Sequence, residues 1–137
     1  MSEMSDALEN ALLNEVLRNT GYTPVATVYA ALFKSPVTDA NLEANVITNE
    51  CAGTGYTRIA ATFNAASGGV CTNQLITFPV VGHATDWGTI THMAIMDASS
   101  GAGTLGVLVY TTLTAPVTPG LNDQLKFAAS DLTVTFA

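Results

Sequence analysis

Apolar residues recur every four positions at Met4, Leu8, Leu12 and Val16, with Ala7, Ala11 and Leu13 beside them. That spacing predicts an amphipathic helix over residues 5–19 with a wide apolar stripe. Asp6 followed by Glu9 fits an N-cap and its N3 partner, and Arg18 suits the negative end of the helix. Gly21 can supply the left-handed residue after the helix, and Pro24 forbids its resumption. Beyond Pro24 the period changes to two. Strands are predicted over 25–33, 56–63, 70–81, 89–98, 105–113, 124–128 and 132–136, separated by Gly, Pro, Asn and Ser turns. The expected fold is all-β: a β-sandwich or jelly-roll-like domain of about eight antiparallel strands with one N-terminal α-helix.

The stretch DWGTITHMAIMDASSGAGTLGVLVYTTL, residues 86–113, reads as a long hairpin turned at 99–103 and carrying the most apolar surface of the chain. The other strands are expected to pack on it. In its first strand Ile90, His92, Ala94 and Met96 share one face, and Met93 and Ile95 the other. In its second, Leu105, Val107, Val109 and Leu113 alternate with Leu108 and Tyr110. Residues 25–33 are apolar or small on both faces, so that strand should be covered on both sides, with the N-terminal helix as one cover. In the last strand Leu132, Val134 and Phe136 should point inward and Thr133 and Thr135 outward. Residues 34–55 are the least regular. Leu42, Val46 and Ile47 can anchor a turn of helix or an edge strand, and a connection this long suggests a loop that meets a partner. The organisation is therefore a single domain, 1–137, with its helix in 1–20 and a β-sandwich in 21–137.

Composition sharpens this. Hydrophobic residues make up 48% of the 137, yet charged residues only 11%, against about 25% in ordinary soluble domains. Two explanations stand: a β-protein with a polar, uncharged surface, or a subunit that hides much of its surface, since interface cores are depleted of charge. The net charge is −7 with Arg18, Lys34, Arg58 and Lys126 as the only cations. Four scattered cations do not make the basic footprint that phosphate backbones or anionic membranes require, so neither nucleic acid nor membrane is an expected partner. The N-terminus is acidic, without a signal peptide's basic start, which points to folding in a host cytoplasm. There Cys51 and Cys71 are expected as free thiols.

Candidate chemistry is thin. His92 lies within a predicted strand among apolar neighbours, where a histidine is usually a hydrogen-bonded scaffold residue. His83 and Asp86 are spaced to share a cation but lack a third ligand. There is no G-x-S-x-G elbow, and SGAGTLG (100–106) leads into a strand rather than the helix of a phosphate loop. No catalysis, cofactor or metal is expected. Trp87, the one tryptophan, either caps the end of the sandwich core or serves as a contact hot spot.

The blocks LENALLNEVLRNTGYTPVATVYAALF, GYTRIAATFNAASGG, DWGTITHMAIMDASSG and LKFAASDLTVTFA resemble a family of small proteins from tailed bacteriophages and prophages. In that family a short helix leads into T-x-Y-T-P-x-A-T-x-Y-x-A-L. The likeness spans nearly the whole chain and departs from the family mainly in residues 34–52 and in its two cysteines. Members are often labelled tail-fibre or minor structural proteins, and similar small β-sandwiches act as capsid cement. The resemblance implies a virion structural component and supplies no site residues.

The leading expectation is a capsid cement or decoration protein on the shell exterior, trimeric, with the major capsid protein and copies of itself as partners. A tail, neck or fibre-associated protein is the alternative, and a carbohydrate-binding module the third. Lack of a repeating or coiled-coil body speaks for the shell over a long fibre. Candidate subunit contacts are Leu8, Leu12 and Val16 on the helix, Leu42 and Val46 in the irregular segment, and Trp87.

Overall fold

The computed structural model describes residues 2–135. Strand β1 (Glu3–Met4) precedes helix α1 (Asp6–Arg18), then come β2 (Val28–Lys34) and a second, short helix α2 (Asp39–Glu43). Strands β3 (Ile59–Ala61), β4 (Val70–Thr72), β5 (Ile76–Val80), β6 (Ile90–Met96), β7 (Val107–Val117), β8 (Gln124–Phe127) and β9 (Thr133–Thr135) complete the chain. Five strands form the main sheet in the order β1-β7-β6-β2-β3, while β4 pairs with β9 and β5 with β8. All of these pairings are antiparallel. The fold is all-β and sandwich-like with an N-terminal helix, as the alternation of the sequence predicts.

The sheet has an apolar cluster on each face. On one, Ala30, Leu32, Met93, Ile95 and Val109 meet Ile76 and Phe78 of β5, and Phe127 and Val134 pack alongside. On the other, Ala31, Phe33, Ala94, Met96, Val107 and Tyr110 share a cluster with Val37, Leu42 and the half-buried Ile47. Strand β2 is thus covered on both sides, but its second cover is the segment carrying α2, not the N-terminal helix. Helix α1 contains no buried residue. It lies by β7 and reaches the first cluster only through Leu8, with Met4 just before it.

Alternation fails where strands bulge. The β6–β7 register shifts between Ile90 and His92, and again between Ile95 and Met96. The first shift turns Ile90 onto the Met93–Ile95 face, away from the His92 face to which alternation assigns it. The second places Val107 with Tyr110, and Leu108 with Val109. The stretch 70–81 is two strands rather than one, because Asn73 breaks it. Its fully buried side chain donates to the carbonyls of Gln74 and Ala128 (2.7 and 2.9 Å) and accepts from Leu132 N (2.8 Å). Satisfying a buried amide this way ties the start of β9 to the end of β4.

The ends of α1 also differ in detail. Ser5, not Asp6, is the N-cap, and its hydroxyl accepts from Leu8 N while bonding Val107 O. Asn19, not Gly21, takes the left-handed conformation at the C-terminus. In β9 Val134 is half-buried and Thr133 and Thr135 are exposed; Phe136 lies outside the described residues.

Candidate functional site

The 34–55 segment folds back on the sheet. Thr38 and Asn41 form a capping box that starts α2. Leu42 is fully buried on the sheet face. Asn45 Oδ1 accepts from Val107 N (3.0 Å), and it sits so close to Gly106 (φ 81°) that a Cβ there would lie 2.0 Å from it. Asp39 reaches His92: its Oδ1 lies 3.1 Å from His92 Nε2 and accepts from Thr112 Oγ1 (3.2 Å). The other imidazole nitrogen meets Thr91 Oγ1 at 2.8 Å. Both nitrogens are therefore engaged, and His92 acts as a peg between the sheet and α2.

The segment's far end carries a buried ionic network. Arg58 donates from Nε and Nη2 to both oxygens of Glu50, each at 2.7 Å, and from Nη1 to Ala98 O (2.8 Å). The Arg58 side chain is 2% exposed. Its hydrogen bonds to Glu50 raise its pKa against the opposing effect of burial. Tyr56 joins by donating to Glu50 Oε1 (3.1 Å) and accepting from Leu32 N (2.9 Å); burial pushes its hydroxyl pKa far up. Sequence reasoning saw Arg58 only as a scattered cation. The available signal was an Arg and a Glu eight residues apart in a chain with few charges.

Trp87 lies wholly inside. Its indole donates to Thr54 O (3.2 Å) and its ring meets Tyr56 edge-on at 5.3 Å. Asp86 is held nearby by Thr54, whose N and Oγ1 both donate to Oδ2 at 2.8 Å and lower the carboxyl's pKa. His83 turns to its neighbour's carbonyl, Ala84 O, at 3.1 Å. Among the described residues, no three His, Cys, Asp or Glu side chains gather as a metal site. Both cysteines are free, and burial pushes the Cys51 thiol pKa up to about 12.

The six candidate contacts thus divide. Leu42 and Trp87 are fully buried in the chain's own core and have no surface to offer a partner; this corrects the expectation for both. Leu8 and Leu12 are half-buried on α1. Val46 is partly exposed and Val16 is 77% exposed. Beside Val16 stand two residues that were not singled out, Leu17 at 75% and Leu13 at 56% exposure. Leu13 belongs to the predicted stripe and Leu17 extends it by one turn, but the pattern alone did not say which side of it would face water. The stripe borders a groove of about 700 Å³ whose lining includes Met4, Leu12, Glu3, Glu9 and Glu43. This groove, which gathers three of the exposed large hydrophobic residues on one helix, is the candidate working surface.

No curated protein matches the chain. The family described as Podophage GP4 fiber I protein gp80 matches residues 3–135, which takes in every strand and both helices. The chain belongs to that family, a family of phage fibre and virion structural proteins, and its place is in the virion.

Proposed function

We propose that this chain is a small structural module of the virion's fibre apparatus, attached by burying the exposed face of α1 against a neighbouring virion protein. The family match over residues 3–135 carries the reading, because its description names a fibre protein. The shape of the fold qualifies it. A compact sandwich without a repeating body gives little length, so the module serves as a joint or attachment unit rather than a shaft. Its role is mechanical, without catalysis or cofactor. Burying what Leu13, Val16 and Leu17 now expose would contribute roughly 1–2 kcal/mol each, before the entropic cost of association. Repetition around the particle multiplies such modest contacts by avidity.

The other reading is a cement protein on the capsid exterior, trimeric and bridging the major capsid protein. The low charge favours it, since 11% charged residues suit a surface largely hidden by neighbours. Copy number separates the two. Quantitative mass spectrometry of purified particles should give roughly three to twelve copies, as closed symmetry at a tail or fibre implies. On the order of hundreds of copies would overturn the fibre reading in favour of the shell.

A further inference from the structure

Leu13 and Leu17, and beside them Leu12 and Val16, are pairs four residues apart on α1 and make one continuous stripe. A 13-residue helix is marginal alone in water and ordinarily depends on packing its apolar face. Here Leu13, Val16 and Leu17 are turned outward. The groove they line also carries Met4 and Leu12, and its charged residues are all acidic: Glu3, Glu9 and Glu43 line it, and no Lys or Arg does.

That charge pattern selects the occupant. A second copy meeting this face through a twofold axis would set the same three carboxylates against themselves. The chain as a whole is at −7, which adds to the repulsion. We propose that the groove receives an amphipathic helix of another virion protein, apolar on one side and flanked by Lys or Arg. The apolar side would lie along Leu13, Val16 and Leu17, and the cations would meet Glu3, Glu9 and Glu43. This is helix-in-groove recognition with electrostatic complementarity. It rests on the fibre-module reading only for the statement that the partner is a virion component.

The test uses two synthetic 18-residue peptides with leucine at the same helical spacing, one with lysine at its polar positions and one with glutamate. Each is titrated against the intact protein by fluorescence anisotropy. The lysine peptide should bind, more weakly as salt rises, and the glutamate peptide should bind at least tenfold more weakly. Leu13→Gln/Val16→Gln/Leu17→Gln should weaken lysine-peptide binding at least tenfold with an unchanged melting curve, because glutamine keeps the helix. Leu17→Gln alone, with a loss of a few-fold, serves if the triple variant melts early. Glu9→Gln/Glu43→Gln should lose most of the salt dependence. No binding, equal binding of the two peptides, or equal binding to the triple variant overturns the proposal. So does a concentration-dependent dimer in sedimentation that the triple variant abolishes, since a second copy would then be the occupant. Copy number on the particle is read separately. Hundreds of copies with an intact peptide response would remove the fibre reading and leave the groove, and the converse result would do the opposite.

Discussion

α1 and α2 both carry apolar side chains, yet the main sheet holds one and leaves the other largely in water. α2 has only five residues, far too few to persist alone. It persists because its surroundings fix it. Leu42 joins Phe33, Met96 and Tyr110 over the neighbouring alanines Ala31 and Ala94, which pair across β2 and β6. The Asp39–His92 contact secures its first residue, and Asn45 and the Glu50–Arg58 pair secure the chain that follows it. α1 has 13 residues, a proper Ser5 cap and a broad stripe, but touches the core only near its start. Length and amphipathicity therefore do not decide which helix is buried. Here tethers at both ends of the element do, and the amphipathic helix lacking them keeps its apolar face exposed.

The comparison breaks most severely at the ionic network. Glu50→Gln leaves the Arg58 guanidinium inside without its counter-charge, at a cost of about 3–5 kcal/mol. Thermal denaturation should show the melting temperature fall by roughly 10–20 °C. An unchanged melting curve would mean that the network does not secure the segment. Leu42→Ala comes next, at about 2–5 kcal/mol by urea titration, because it empties a filled site under α2. A cost as small as that of a surface change would place α2 on the same footing as α1.

Cys51 gives a smaller, pH-dependent effect. Its thiol pKa is raised by burial from 9.0 to about 12, so the neutral form favours the folded state. The contribution is complete below the unfolded pKa and declines as pH rises from 9 towards 12. Between pH 8 and pH 10 the wild-type protein should lose about 1.4 kcal/mol that Cys51→Ala does not lose. Parallel pH profiles for the two proteins would refute this origin. Smallest of all on stability is the α1 face. Val16→Gln/Leu17→Gln should shift the unfolding free energy by no more than about 0.5 kcal/mol, while removing the protein from assembled particles. A large loss of stability would show that the chain itself uses that face.

Much of this contrast was legible in the chain. The four-residue apolar spacing placed α1 within one residue of its observed ends, and two-residue alternation located the β6–β7 hairpin at the centre of the sheet. What periodicity could not carry was anything set by distant contacts. The bulges that turn Ile90 and Val107 to opposite faces depend on register with the partner strand. The break at Asn73 depends on Ala128 and Leu132, more than fifty residues away. The irregular 34–55 segment looked like a partner loop because the connection is long; Leu42 was legible as the anchor of a helical turn, but the inward placement of Val37 and Asn45 shows only against the sheet they meet. Trp87 was read as either a core cap or a hot spot, and the Thr54 carbonyl and Tyr56 ring that settle it inside come from another loop. For the candidate working face the stripe was visible, but its outward direction was not.

Electron cryomicroscopy of intact particles tests the central claim most directly, that this chain is a fibre module attached through α1. The account predicts density for the sandwich at the fibre apparatus, with Leu13, Val16 and Leu17 buried against a helix of a neighbouring protein. Density spread over the capsid shell, or a fibre-bound copy with those three residues facing solvent, would contradict it.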